Sequence, residues 1–136
     1  MHDQTITLYN LHNDTWYPTV LPYCHLIVDR AARQKDTGLE NADAAKLHIM
    51  QKSIEAAGVS VVGPKEYDAL SDPAGKITFH EGKDFFVKGE WEASAVSDDD
   101  WMYGYYDHMN KANDGVYLIT SAAEYYLIPH WEIIGK

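Results

Sequence analysis

The side chains that could do chemistry in this sequence are numerous, but their spacing matches no common catalytic or metal-binding motif. Seven histidines are scattered over 136 residues without the close pairing on a helix that a zinc site needs. The 21 Asp and Glu residues supply many acids, yet nothing selects the two that a hydrolase would use. Nucleophile-elbow, P-loop and dinucleotide-binding glycine patterns are absent. The sequence therefore predicts no catalytic residue, no metal, no cofactor and no enzymatic activity.

Two local groups of polar residues are explained more simply by structure than by chemistry. The aspartates at 98–100 offer the clustered oxygens that hard cations prefer, but no second set of ligands accompanies them. With Ser97 as a cap, three carboxylates are typical of a helix start. His130 and Glu132 fall on one side of a predicted strand, where a hydrogen-bonded structural pair is expected.

The composition excludes several classes of partner. Eleven Lys and Arg against 21 Asp and Glu give a net charge of −10, and residues 89–110 contain no basic residue except His108. Tight binding to DNA or to an anionic membrane is therefore disfavoured, because both require a positive surface. No apolar run approaches the roughly 18 residues of a membrane span, and the first residues do not resemble a signal peptide.

The single cysteine excludes an internal disulfide framework and a multi-cysteine zinc site. Cys24 lies in the apolar stretch 21–28, so we expect a buried, unreactive thiol. One unpaired cysteine is consistent with synthesis in a reducing cytoplasm.

Strand signals dominate the first half of the chain. Alternating β-branched and aromatic residues predict strands over 5–9 and 15–21, joined by a turn over 10–14 that includes Asn13-Asp14. Because proline cannot donate to a ladder, Pro18 and Pro22 place the second strand at an edge or end it. Strands are also predicted over 24–33 and 44–50 with a turn at 36–38, although a helix over 41–57 competes with the second of these.

Further elements follow in the second half. Residues 53–75 are interpreted as an irregular loop insertion with short helical turns at 53–58 and 64–70. The remaining predictions are a hairpin with strands near 77–79 and 85–87 around a turn at 80–83, a helix near 99–111, strands over 116–121 and 125–134, a corner at 122–123, and a break at Pro129. The chain is thus predicted to be mainly β, a small single-domain β-barrel or sandwich over 1–136 with one short helix near 99–111.

Four Trp, ten Tyr and three Phe exceed what one small core is expected to use. Tyrosine and tryptophan are favoured at protein interfaces, where they bring large contact area at low entropic cost. The sequence therefore predicts a protein–protein interface, and its candidate residues are Trp101, Tyr103, Tyr105, Tyr106, Tyr125, His130 and Trp131.

The order of these elements resembles the minor capsid, head-completion or head-closure (stopper) proteins of the neck of tailed bacteriophages. The resemblance rests on the opening strand 6–9 with the following segment 15–21, the central segment 79–90, and the closing segments 117–120 and 128–133. Residues 53–75 are longer than the family's connection, and the acidic helix has no counterpart in it.

The resemblance implies a small β-barrel that joins a homo-oligomeric ring beneath the portal and bridges or seals the DNA channel. The implied partners are portal or adaptor and tail-terminator proteins, in the virion neck, with DNA passing nearby but not specifically bound. Residues 53–75 are then expected to be a mobile loop. The alternatives are a carbohydrate-binding or adhesion module that stacks sugars on exposed Trp and Tyr, and a hydrolase with a carboxylate pair that only a structure would reveal.

Overall fold

The computed structural model describes residues 4–29, 44–91, 94–125 and 130–136. The strands in these ranges are β1 (Gln4–His12), β2 (Thr15–Asp29), β3 (Ala44–Met50), β4 (Ser60–Val61), β5 (Lys76–Ile77), β6 (Phe85–Lys88), β7 (Val96–Ser97), β8 (Val116–Tyr125) and β9 (His130–Gly135). The helices are α1 (Gln51–Ala57), α2 (Pro64–Asp68) and α3 (Tyr105–Ala112). The predicted turn at 36–38 and the break at Pro129 lie outside the described residues.

Six of the strands form a closed antiparallel barrel. The order is β1-β6-β8-β9-β3-β2, and β2 pairs back with β1 to close the sheet. The short strand β7 adds to the start of β2 through Thr15 and Trp16. The prediction of a mainly β barrel is therefore confirmed, and of the two architectures proposed the barrel is the one that forms.

The first hairpin follows directly from its turn residues. Asn13 and Asp14 have φ values of 50° and 62°, which are the conformations that a two-residue type I′ hairpin turn requires. The following strand β2 is longer than predicted, because the expected break near Pro22 is a bend at Tyr23 (φ 59°). At this bend the partner of β2 changes from β1 to β3. Pro18 lies where β2 pairs with β1 alone, so its missing N–H breaks no ladder.

The interior of the barrel is mainly aliphatic. Ala45, Leu47 and Ile49 alternate inward along β3, which confirms the predicted strand over 44–50; helix begins only at Gln51. The buried residues of this core are Ile6, Leu8, Leu21, Cys24, Leu26, Ala45, Leu47, Ile49, Ile54, Ile77, Phe79, Phe86, Tyr117, Ile119 and Ile133.

Residues 53–75 contain more regular structure than the predicted irregular loop. They include most of α1, which ends at Gly58 in a left-handed conformation, then β4 and α2. Ile54 and Tyr67 are buried, and β4 pairs in parallel with β5. The expected helical turns at 53–58 and 64–70 are both present as helices. The segment therefore contributes buried side chains to the packed interior.

The predicted hairpin over 77–87 is wrong, although its turn is present. Gly82 has a φ of 80° and the chain reverses at 80–84. The two flanking strands do not pair, because β5 pairs with β4 whereas β6 lies between β1 and β8. Both edges of β6 are thus occupied by strands that are distant in sequence. The predicted corner at 122–123 is also wrong, since β8 is continuous to Tyr125 and its irregularity falls between Ile119 and Ser121.

A second core lies outside the barrel, between α3 and the outer surface of the sheet. It is largely aromatic and includes Tyr9, Trp16 and Phe85, with Tyr105 and Met109 contributed by α3. The ring of Phe85 stacks on that of Tyr9 with centroids 4.8 Å apart, and the Trp16 ring meets it edge-on at 5.0 Å. This layer accounts for part of the aromatic content that one core could not use.

Candidate functional site

The seven predicted interface residues fall into two groups on different elements. Trp101, Tyr103, Tyr105 and Tyr106 belong to α3 and the loop before it, whereas Tyr125, His130 and Trp131 belong to the β8–β9 pair. The structure therefore does not bring them into one surface. The two groups differ in which rings remain accessible.

The loop before α3 is held by Asp98. Its Oδ1 accepts hydrogen bonds from the Trp16 indole Nε1 (2.8 Å) and from the backbone N–H of Tyr105 (2.8 Å), the first residue of α3. Gly104 has a φ of 92°, and a Cβ at this position would lie 3.1 Å from Asp98 Oδ1. The positive φ interrupts the predicted helix over 99–111, so that Asp98–Asp100 forms only a 3-10 turn and α3 starts at Tyr105. Ser97 makes no side-chain capping bond, and Asp98 supplies a cap to α3 instead.

Three of the four rings in this group are packed against the protein. Tyr105 is only 8 % exposed in the aromatic core, so its ring is unavailable to a partner. Tyr106 is half-buried with its ring 5.1 Å from that of Phe85, and burial raises the pKa of its phenol. One face of the Trp101 indole is covered by the His108 ring, stacked at 4.1 Å. These three side chains therefore stabilise the loop and offer little ring surface to a partner.

The exposed part of this region is the tip of the loop and the charges around it. Met102 is 87 % exposed and Tyr103 is 75 % exposed. They border a groove of about 510 Å³ that also includes Asp107 and Lys111, whose side chains form an ion pair at 3.3 Å. We call this surface the acidic face and define it by Asp99, Asp100, Met102, Tyr103 and Asp107.

The second group lies on a surface where three neighbouring strands align their histidines. His25 of β2 is opposite His48 of β3, and His48 is opposite Glu132 of β9. His130 is two residues before Glu132 and therefore points to the same side of the sheet. The His130 Nε2 lies 3.1 Å from Glu132 Oε2, and this hydrogen bond is the main reason why the pKa of Glu132 is lowered. The sequence-based expectation of a His130–Glu132 pair is confirmed.

The same surface carries exposed apolar side chains. Ile27 is 46 % exposed and lies opposite Lys46 in the register of β2 and β3. Tyr125 is also 46 % exposed, and its ring stacks on His130 at 4.9 Å with an interplanar angle of 7°. We call this surface the histidine face and define it by His25, Ile27, Lys46, His48, Tyr125, His130 and Glu132.

Trp131 does not belong to the histidine face. Its side chain points the other way along β9 and packs against the barrel core. It also lines a cleft of about 630 Å³, together with Val61, Pro64, Phe79, His80 and Ala122. Trp131 is therefore half-buried and is only marginally available as an interface residue.

A buried polar network lies just before the first residue of β6, and the sequence did not predict it. Asp84 is fully buried, and its Oδ2 accepts hydrogen bonds from the His80 backbone N–H (2.9 Å), His80 Nδ1 (2.8 Å) and Asn10 Nδ2 (2.7 Å). Its Oδ1 accepts the backbone N–H of Leu11 at 3.0 Å. The His80 Nε2 is 2.7 Å from Asp68 Oδ1, so the imidazole bridges two carboxylates. The network ties the turn 80–84, strand β1 and helix α2 together.

The electrostatics of the network follow from these contacts. The hydrogen bond to Asp84 raises the pKa of His80 above its ordinary value of 6.5 against the opposing effect of burial, and Asp68 contributes in the same direction. Burial is also the main cause of a strongly raised pKa for the Tyr67 phenol, whose ring lies 5.7 Å from His80. The four bonds to Asp84 and the bridge of His80 are contacts that hold elements together, and they amount to a structural role.

Cys24 is buried in the barrel as predicted, and burial raises the pKa of its thiol to about 11. Within the ranges that the structure describes, no group of three or more His, Cys, Asp or Glu side chains is placed to hold a metal ion. In those ranges no helix has the length and apolar character that crossing a membrane demands.

The fold and these surfaces define a class of protein, a closed six-stranded antiparallel barrel with an aromatic outer layer and two exposed faces of different charge. The chain belongs to a protein family described as a family of unknown function (DUF6751), which it matches over residues 1–136. No curated protein matches the chain, and no solved structure does.

Proposed function

We propose that this chain is a structural virion protein of a tailed bacteriophage, a head-closure or head–tail connector component of the neck. It assembles as a ring beneath the portal and bridges or seals the DNA channel. Its neighbours are the portal or adaptor protein, the tail-terminator protein and further copies of itself. DNA passes the ring without specific binding, and the protein reaches the virion from the bacterial cytoplasm.

The observation that carries this proposal is the closed barrel of six antiparallel strands. It is the fold that the resemblance to head-closure proteins implies, and it forms although one of the segments behind the resemblance, the hairpin over 77–87, does not pair as expected. The net charge of −10 supports the same role, because a negative surface lets DNA slide past a channel wall without sticking. Exposed Met102 and Tyr103 provide side chains suited to protein contacts.

The accessible surface of the aromatic residues gives less support to a carbohydrate-binding module. Such a module needs a flat, accessible ring on which a sugar can stack, and the aromatic residues of the loop before α3 and of its first turn that could provide one are Trp101, Tyr103 and Tyr105. One face of the Trp101 indole is covered by His108, and its neighbour Tyr105 is buried. Tyr103 remains as the one well-exposed ring in that loop.

Quantitative mass spectrometry of purified particles tests the proposal. The particles come from the phage or induced prophage that encodes the chain, and the copy number is compared with the portal and major capsid proteins of the same particles. We expect a copy number near that of the portal and far below that of the major capsid protein. Absence from the particle, or a copy number near that of the major capsid protein, would overturn the neck assignment.

Disruption of the gene provides an independent measurement. Loss of a head-closure component is expected to leave separate heads and tails, visible by electron microscopy, and complementation with the wild-type gene restores joined particles. The matched control is complementation with Glu66→Gln, a change at an exposed position of α2 outside both faces. Normal joined particles from the disrupted strain would contradict the proposal.

A further inference from the structure

The exposed large apolar side chains of the described residues are concentrated in two places. Met102 and Tyr103 lie on the acidic face, and Ile27 and Tyr125 lie on the histidine face. Tyr23, the remaining one, lies beside the histidine face at the bend of β2, with the Lys52 ammonium 4.4 Å from its ring centre. Apolar side chains that are exposed in a cluster rather than singly mark interaction surfaces.

These two faces lie on opposite sides of the barrel. The helix α3 covers the outer surface around β6, where Phe85 and Val87 belong to the aromatic core. The histidine face is centred on β3, which is flanked by β2 and β9. In a closed barrel ordered β1-β6-β8-β9-β3-β2, strand β3 is three positions from β6 in either direction. The two strands are therefore diametrically opposed.

We propose that the acidic face of one copy docks on the histidine face of a second copy, in a head-to-tail contact that repeats around a ring. The closed ring rests on the proposed function, whereas the contact itself is a property of the isolated protein. Two different faces on opposite sides of a protomer produce a heterologous contact, and such contacts generate rings when the rotation closes. An isologous dimer would instead use one face twice.

Charge complementarity selects a second copy as the occupant. Asp107 on the acidic face is paired with Lys111, whose ammonium also lies 5.7 Å from the Tyr103 ring centre, so the excess negative charge there comes from the exposed Asp99 and Asp100. The histidine face carries Lys46, with Lys52 next to it, and three histidines beside the carboxylate of Glu132. His130, His48 and Lys46 all lower the pKa of Glu132, which is the direction expected in positive surroundings. A chain of net charge −10 would repel its own copies if they met at random, so contact between unlike faces is favoured.

The shapes of the two faces are compatible with this arrangement. Met102 and Tyr103 project from a loop that is fixed by Asp98 and packed on the aromatic core through Trp101. A fixed loop loses little conformational entropy on binding. The histidine face is a stretch of regular sheet, in which the exposed side chain of Ile27 offers an apolar contact. Tyrosine at the centre of an interface with charged residues at the rim is a typical distribution of binding energy.

Disulfide trapping tests the contact in purified protein. Tyr103→Cys and Ile27→Cys are prepared as separate variants, mixed and oxidised at high protein concentration. We expect the cross-linked heterodimer to exceed, by at least severalfold, the product of the control mixture of Tyr103→Cys with Glu66→Cys. The native Cys24 is buried and stays out of the reaction. Equal yields in the two mixtures would overturn the proposal.

A chain that carries both cysteines gives a second, sharper result. A head-to-tail contact predicts a ladder of multimers that ends in a closed species, whereas an isologous contact predicts a dimer only. A dimer as the sole product would therefore overturn the head-to-tail arrangement even if the yield is high.

Charge exchange distinguishes the proposed contact from accidental collision. Asp100→Lys and Lys46→Glu each place like charges opposite one another, and each is expected to reduce trapping several-fold; the chain carrying both is expected to recover it. Both positions are exposed, so folding is retained. Failure of the double variant to recover would contradict the pairing of these faces.

The outcomes separate this inference from the proposed function. If disulfide trapping succeeds but the protein is absent from particles, the contact is supported and the neck assignment is refuted. If the copy number is near that of the portal but no disulfide is trapped, the neck assignment is supported and this contact is refuted.

Discussion

The side of the barrel around β6 and the side around β3 contain the same kinds of side-chain pairs in opposite environments. Around β6, the rings of Tyr9 and Phe85 stack at 4.8 Å and both residues are buried. Around β3, the Tyr125 and His130 rings stack at 4.9 Å on an exposed surface. A histidine–carboxylate pair is likewise buried at His80–Asp84 on the first side and accessible at His130–Glu132 on the second.

The difference shows that the identity of a side-chain pair does not determine how much the pair contributes to folding stability. A buried pair excludes water from both partners, so removing one partner leaves a cavity or an uncompensated polar group. An exposed pair is already solvated and contributes little to folding, but it remains available to another molecule. We therefore expect the β6 side to govern stability and the β3 side to govern recognition.

The largest expected effect comes from the stacked rings. Phe85→Ala removes a fully buried side chain that contacts Tyr9 and Trp16, and should lower the free energy of unfolding by about 3–5 kcal/mol. The control Tyr125→Ala should cost about 1 kcal/mol or less, because the ring is 46 % exposed. Urea unfolding followed by circular dichroism measures both. Similar losses in the two variants would refute the contrast between the sides.

The buried carboxylate gives the next effect. Asp84→Asn replaces an acceptor of four hydrogen bonds by an amide that also donates, so donors of Asn10, Leu11 or His80 lose their acceptor. We expect a loss of about 3 kcal/mol, the lower end of the cost of breaking a buried ion pair. The partly exposed control Glu132→Gln, which loses only its hydrogen bond to His130, should lower the free energy of unfolding far less. A loss in Glu132→Gln as large as that in Asp84→Asn would argue against the assigned environments.

Much of the fold was accessible from local sequence patterns. The strand over 44–50 follows from the alternation of Ala45, Leu47 and Ile49, and the first turn follows from Asn13-Asp14. These signals are local, because alternation and turn chemistry depend on near neighbours. The pairing of β6 with β1 and β8 is not local, and no pattern within 77–89 distinguishes it from a hairpin.

The candidate site was harder to predict from the sequence, for a related reason. The sequence shows an excess of aromatic residues, but Tyr105 belongs to a second core, which no count of residues reveals. Gly104 marked the true start of α3, since its positive φ interrupts the helix that the aspartates at 98–100 suggested. The spacing of His80 and Asp84 around Gly82 was visible in the sequence, yet only burial distinguishes their contact from a surface pair.

The smallest expected effect is a change in the pH dependence of the free energy of unfolding. It tests whether the exposed Asp68 influences the buried His80. The pKa of His80 is raised in the folded state, mainly by Asp84 and further by Asp68. The stabilisation from its protonated form is therefore complete below the unfolded value of 6.5 and is lost as the pH rises through the higher folded pKa. Asp68→Asn should lower the folded pKa, so that the loss is smaller and is complete at a lower pH; it should not disappear, because the bond to Asp84 remains.

Urea unfolding at pH values from 6 to 9 measures this dependence, and NMR titration of the His80 ring protons reports the pKa directly. Asp68 is 56 % exposed, so its removal should cost about 1 kcal/mol or less at pH 6. Glu66→Gln is the matched control: Glu66 is also an exposed acid of α2, but it is not among the groups that shift the pKa of His80, so this variant should titrate as the wild type does. An unchanged His80 pKa in Asp68→Asn would mean that Asp84 alone sets the protonation of this imidazole, and that the bridge to α2 carries no charge coupling.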